Sequence, residues 1–289
     1  MREGYKKYGL LICVIILAFV NVFLLQLVLK EDNKELIFAV LDVGQGDGIF
    51  IESPTGTQIL VDGGPRNSIL RNLAGIMSPL DKDIDAIIIT NPDADHIAGF
   101  LDVLKKYKVE KVFEPGTFND SKTYQNLKSE IKKQNIPNIL AKKGMRLDIG
   151  GGVFIDILFP DRNVSTWDSN DGSVVAKLTY GLTSIMLTGD STRETESIIL
   201  SSFSKSQLDS NILKVGHHGS RTSTSKSFVE AVSPKYAIIS LGKDNNYGHP
   251  HMETLNTLRK LGVQIFRTDL SSTIIMKSDG KNEVFSFAK

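Results

Sequence analysis

The chain has 289 residues, 41% of them hydrophobic and 23% charged, with a formal net charge of +1. That is ordinary globular composition, long enough for one large core or two small domains. It excludes a generally basic nucleic-acid-binding surface, although a local groove is compatible with it. Cys13 is the only cysteine, which excludes internal disulfides and a cysteine-based zinc site; metal chemistry must use His, Asp and similar ligands.

Residues 10–29 are nearly unbroken apolar sequence, interrupted only by Asn21 and Gln26. A run of about 20 such residues suffices to cross a bilayer. Arg2, Lys6 and Lys7 precede it and Lys30-Glu31-Asp32 follow it, and the positive-inside bias then puts the N-terminus in the cytoplasm. No small-x-small cleavage site follows Leu29, which favours a retained signal anchor over a cleaved signal peptide. The expected organisation is a cytoplasmic tail at 1–9, a transmembrane anchor at 10–29 and one extracytoplasmic domain at 36–289, on the cell membrane as a single-pass protein.

From residue 36 the pattern becomes strands: 36–43, a glycine turn through Asp47, then 49–52 and 58–61, the last ending in Asp62-Gly63-Gly64. A helix is predicted over 67–77, a buried isoleucine-rich strand over 84–89 and an amphipathic helix from Phe100 to Tyr107. Further strands are predicted at 109–113, 153–159, 174–180, 184–188, 212–215 and 236–241, followed by two or three closing ones. Helices are predicted at 124–134, 192–200, 226–232 and 252–261. Strands mixed with helices at short spacing suggest two sheets with helices outside them.

Between the strand 84–89 and the next helix lies Asn91-Pro92-Asp93-Ala94-Asp95-His96. Carboxylates gathered in one turn repel unless a cation offsets them, and oxygen with imidazole ligands is what divalent metals use. Helix capping explains one such residue well and four badly. All five histidines, at 96, 217, 218, 249 and 251, sit in Gly-, Pro- or Asp-rich turns next to apolar strands, and Asp190 lies in a similar place. If those strand ends share one edge of the sandwich, the groups converge on one site.

Taken together, Val43-Gly44-Gln45-Gly46-Asp47, Val61-Asp62-Gly63-Gly64, the turn from Asn91 to His96, Leu187-Thr188-Gly189-Asp190, residues 213–220 and Tyr247-Gly248-His249-Pro250 resemble the metallo-β-lactamase-fold hydrolases. More narrowly, they resemble the hydrolase domain of ComEC-type competence proteins. The resemblance implies an α+β fold, a four-layer αββα sandwich with one or two metals at one edge, here Zn²⁺ or Mn²⁺. The family's turn reads His-x-His-x-Asp-His, with Asp common at the third place in this branch. Here Asp93, Asp95 and His96 match, Asn91 stands where the first histidine belongs, Asp190 matches the metal-bridging aspartate, and His217 or His218 matches the later histidine.

The set implied by the resemblance is unequal. Asp95, His96, Asp190 and one of His217 and His218 would form a site suited to zinc or manganese. Asp93, Asp190 and the Asn91 carbonyl would form an oxygen-only site suited to harder ions or weak occupancy. Asp95, His96 and Asp190 are the expected catalytic residues. Asp47 and Asp62 would either orient ligands or fix their own turns. Ser220, with Thr222 and Ser223, precedes a predicted helix and would meet a phosphate oxygen or serve as an ordinary cap. His249 would line the substrate cleft, His251 fits a helix start equally well, and Trp167 reads as a packing anchor more than a base-stacking platform.

The function expected is a membrane-anchored metal-dependent phosphodiesterase or nuclease with single-stranded DNA as the favoured partner. Its rivals are a hydrolase of a small ester, lactone or lactam, and a degenerate metal-binding receptor suggested by Asn91.

Overall fold

The computed structural model describes residues 12–22, 35–66 and 68–288. The chain divides into two units, Met1–Lys34 and Glu35–Lys289. In the first, residues 12–22 form a helix with exposed apolar side chains. No helix among the described residues is long and apolar enough to cross a membrane, and the predicted span 10–29 runs past the described residues at both ends.

In the second unit, period-two alternation decides which core each strand feeds. Leu36, Phe38 and Val40 of Leu36–Val40, and Ile49 and Ile51 of Gly48–Glu52, face a core shared with Ile155, Ile185, Leu187, Ile212 and Ile238. Ala39 and Phe50 point the other way, onto Ile69, Leu73, Phe100 and Leu127, which lie on the helices Ser68–Ile76, Phe100–Lys106 and Lys122–Lys133. On the second sheet, Met186, Leu213, Ala237 and Ile239 likewise turn onto Ile199, Phe228, Val229, Leu255 and Leu258. Those five side chains come from Arg193–Ser202, Lys226–Val232 and Met252–Lys260. Three cores separated by two sheets make four layers, αββα, as expected.

One sheet has eight strands, in the spatial order Glu283–Ala288, Thr273–Ser278, Leu36–Val40, Gly48–Glu52, Gln58–Gly63, Ala86–Ile88, Val112–Glu114 and Asn138–Leu140. The other has seven: Gln264–Arg267, Tyr236–Ile239, Ile212–Lys214, Thr183–Leu187, Val175–Tyr180, Val153–Phe159 and Arg146–Asp148. The predicted strand 84–89 is interrupted. Asp83–Ile84 pairs with Lys108–Val109 in a separate two-stranded ribbon, and Ala86–Ile88 joins the main sheet. Asp85 sits at the break, its carboxylate accepting the Gln58 backbone N–H (2.7 Å) while its own N–H bonds the Gln58 carbonyl (3.1 Å).

Parallel neighbours deliver their following loops to the same edge. Gln58–Gly63 runs parallel to Ala86–Ile88, and Thr183–Leu187, Ile212–Lys214 and Tyr236–Ile239 are parallel to one another. The two sheets are tied together at that edge, where Ser240 Oγ donates to the Gly46 carbonyl (2.7 Å) and Val174 N–H to the Thr90 carbonyl (2.8 Å). Gly189 is required there: its φ is +49, and a Cβ would sit 2.7 Å from Thr90 Cβ.

Candidate metal centre

Asp62, next to last in the strand Gln58–Gly63, has φ +57 and is fully buried. Its carboxylate accepts from Thr90 N–H (2.8 Å) and Thr90 Oγ1–H (2.6 Å), and lies 2.8 Å from His96 Nδ1. A carboxylate can only accept, so it fixes a proton on Nδ1 and leaves Nε2 facing the centre. That Nε2 is buried, has no hydrogen-bond partner and lies 3.1 Å from Asp190 Oδ2.

His218 is built in the same way from the opposite sheet. Its Nδ1 lies 2.9 Å from the Ser240 carbonyl, another group that only accepts. Its buried Nε2 again has no partner, 3.4 Å from Asp95 Oδ2 and 3.6 Å from Asp190 Oδ2. Asp95, His96 and His218 each offer a ligand atom within 4.8 Å of the others, as do Asp47, Asp190 and His218. The third such grouping, Asp47, Asp62 and His96, is already engaged: Asp62 by Thr90 and His96, Asp47 by Lys214.

The electrostatics point the same way. Asp47, Asp62, Asp95 and Asp190 gather around His96 and His218, Lys214 pairs with Asp47, and three of these carboxylates are almost wholly buried. Buried like charges need a counter-charge. In the absence of a cation, protons supply it. Burial disfavours the charged form of His218, yet Asp190, Asp47 and Asp95 push its imidazole up to about 10. His96 is likewise raised well above its ordinary value against the cost of burial, by Asp190 and Asp62. Despite its own burial, the Asp190 carboxyl is held far below the usual range by His96 and His218. Two buried, partnerless Nε2 atoms and the free Asp190 Oδ1 fit a divalent ion that displaces those protons.

The rest of the expected set is arranged differently. Asn91 is fully buried, but its side-chain oxygen accepts the Asp93 backbone N–H (2.9 Å) and its Nδ2 has no partner. Asp93 takes the N-cap position of Ala94–Ile97 without a capping bond. Its two oxygens accept instead from Asn119 Nδ2 (3.0 Å) and Ser169 Oγ (2.8 Å). Asp93 joins no grouping of His, Asp and Glu ligand atoms among the described residues. His217 lies at the lip, a quarter exposed, with Nε2 3.9 Å from Asp190 Oδ2 and Nδ1 3.2 Å from Thr222 Oγ1.

Asp47 places one oxygen 2.8 Å from Lys214 Nζ and the other 3.4 Å from His218 Nδ1, and its pKa falls to about 2, Lys214 and His218 outweighing burial. Ser220 Oγ pairs with Thr222 Oγ1 (2.9 Å). The amides before the next helix are not open to a phosphate, because the Glu196 carboxylate accepts from Thr224 and Ser225 N–H. His249 stands beside His217 and His218, with ring centroids 5.6 and 6.3 Å away, and burial and those imidazoles push it down to about 4. His251 Nδ1 accepts the Arg221 N–H (3.1 Å), away from the centre, at the start of Met252–Lys260. Trp167 packs on Phe159, its ring centroid 5.9 Å away.

Four contributors escaped the sequence reading: Lys214, Ser240, Asn119 and Ser169. Only Lys214 left a signal, as a lone cation ending the otherwise apolar strand Ile212–Lys214.

The profile of the Metallo-beta-lactamase superfamily matches residues 41–243. ComE operon protein 3 of Bacillus subtilis is 30% identical over 266 residues, covering 86% of this chain and 34% of that protein. Competence protein ComA of Neisseria gonorrhoeae is 28% identical over 247 residues, covering 84% and 32%. The chain therefore spans about a third of the length of the curated relatives it matches. Among solved structures, the metallo-beta-lactamase fold protein YhfI from Bacillus subtilis superposes with TM-score 0.54 at 16% identity, covering 80% of this chain and 96% of that one. The chain belongs to the metallo-beta-lactamase superfamily, related to the ComEC-type competence proteins, and is a metal-dependent hydrolase.

Proposed function

We propose that this protein is a membrane-anchored, extracytoplasmic phosphodiesterase that cuts DNA, single strands above all, using one divalent ion, Zn²⁺ or Mn²⁺. Asp95, His96, Asp190 and His218 would hold the ion. The carrying observation is the pair of buried, partnerless Nε2 atoms of His96 and His218 converging on the Asp95 and Asp190 carboxylates. One ion rather than two is supported by Asn91 and Asp93, whose oxygens already accept hydrogen bonds from protein groups.

Such an ion, when bound, supplies Lewis acidity and brings the pKa of a coordinated water towards neutrality. Asp62 and the Ser240 carbonyl keep both imidazoles in the tautomer that presents Nε2. Lys214 holds Asp47 behind His218. His217, exposed at the lip and braced by Thr222, is the imidazole free to exchange a proton with substrate.

The DNA substrate is supported by relatives named for competence and recombination. The anchor is supported by the apolar run 10–29 with its basic flank. The test is cleavage of labelled single-stranded DNA with Mn²⁺, Zn²⁺ and Mg²⁺ in turn, beside Asp190→Ala, with small esters and lactones in parallel. Metal-dependent cutting lost in Asp190→Ala is the expected result. Turnover of the esters alone would transfer the same centre to small substrates, and no turnover of either would favour a receptor.

A further inference from the structure

Two adjoining surface cavities, of about 590 and 430 Å³, share Lys143. Lys142, Lys143 and Arg162 line the first; Lys143, Arg146 and Lys177 line the second. Against these five cations stand two carboxylates, Asp161 and Asp156, each paired with an arginine. The groove thus gathers a surplus of three positive charges in a chain whose whole formal charge is +1. Lys142 and Lys143 form no ion pair among the described residues, and Lys143 Nζ lies over the Phe203 ring, 4.7 Å from its centroid.

Two loops that wall the groove run on in the chain to residues that hold Asp93. One wall includes Pro115 and Gly116, and the same loop continues through Phe118 to Asn119, whose amide holds Asp93. The other includes residues 160–165, and that loop continues to Ser169, whose hydroxyl holds the other Asp93 oxygen. Asp93 lies two residues from Asp95. On the groove wall Leu140 is 47% exposed, and Phe118, two residues beyond Gly116, is 68% exposed.

We propose that this groove holds a stretch of single-stranded nucleic acid flanking the phosphodiester presented to the metal centre, a reading that rests on the nuclease function above. Lysines neutralise backbone phosphates, and exposed aromatic rings accept unpaired bases by stacking. A polyanion matches the excess positive charge, and unpaired bases match the exposed Phe118 ring.

The test is binding of fluorescein-labelled dT20 to the full chain, by anisotropy across a salt series, with EDTA present to prevent cutting. Lys142→Ser/Lys143→Ser is compared with wild type and with Lys142→Arg/Lys143→Arg. Melting temperature and metal uptake serve as checks of the fold. The expected result is an affinity loss of about ten-fold or more and a salt slope shallower by about 1.4, two phosphate contacts at about 0.7 each. The arginine variant should bind as wild type does. Unchanged affinity and slope in the serine variant overturn the proposal, as do a wild-type chain that binds no dT20 and one that binds duplex DNA more tightly than dT20. The two readings separate: groove-dependent binding without cutting in any metal sinks the nuclease function alone, and cutting with groove-independent binding sinks the groove alone.

Discussion

His96 Nδ1 lies 2.8 Å from Oδ2 of Asp62, a residue 34 positions earlier in the strand Gln58–Gly63, and both side chains are almost completely buried. The pair fixes which imidazole nitrogen faces the centre. Asp62→Asn keeps the size and removes the charge that favours an Nδ1 proton. The expected effect is metal affinity lower by about 10–100-fold. Competition against a chelating dye measures it; affinity within two-fold of wild type would mean that Asp62 only fixes its own turn.

The two histidines also set a pH dependence. In the absence of metal, the folded His218 imidazole titrates near 10, against about 6.5 when unfolded. A raised pKa contributes stability that is complete below about pH 6.5 and is lost as pH rises through 10. Asp190 is depressed and acts in the opposite direction, contributing above its unfolded value of about 3.9 and losing that contribution as pH falls further. The melting temperature of the chelated protein is therefore expected to fall between pH 6.5 and 9.5. Metal affinity should rise over the same range, because the ion competes with those protons. A chelated protein that gains stability across that window would contradict the assignment.

Lys214 and Asp47 form an ion pair closed to solvent, with Nζ 2.8 Å from Oδ2 and each side chain 1% exposed. Removing one partner strands a buried charge, at a cost of about 3–5 kcal/mol. Lys214→Met is expected to destabilise by that amount in urea unfolding. Lys214→Met/Asp47→Leu should recover much of it, since no charge is then left unpaired. A double variant as unstable as the sum of the singles would show that the pair is not coupled.

Asn91 and Asp93 should matter less to the ion than their place in the motif suggests. Asp93→Asn is expected to leave affinity within about three-fold of wild type, whereas Asp95→Ala should weaken it by about 100-fold or more. Equal losses in the two variants would restore Asp93 to the ligand set.

Much of the frame is legible from period and punctuation. The segments 36–43, 49–52 and 58–61 read as strands, and strands they contain, whose side chains face two different cores. The break at Asp85 is not legible, because there the side chain bonds the amide of Gln58, a residue 27 positions away. The edge strands Asn138–Leu140 and Arg146–Asp148 have no fully buried residue and so little apolar period to read. At the centre, residue types and turns mark Asp95, His96 and Asp190 as candidates. The choice between His217 and His218 depends on the Ser240 carbonyl, brought in by the neighbouring parallel strand, and no local signal carries that. Lys214 reads as a polar strand end until Asp47, from the other sheet, is seen to face it.

The most direct measurement is the number of tightly bound divalent ions per chain, by elemental analysis after reconstitution with Mn²⁺ or Zn²⁺ and gel filtration. It would compare wild type, His217→Ala and His218→Ala. One ion in wild type, kept in His217→Ala and lost in His218→Ala, is the expected result. Two tight ions in wild type, or one retained in His218→Ala, would contradict a single centre built on Asp95, His96, Asp190 and His218.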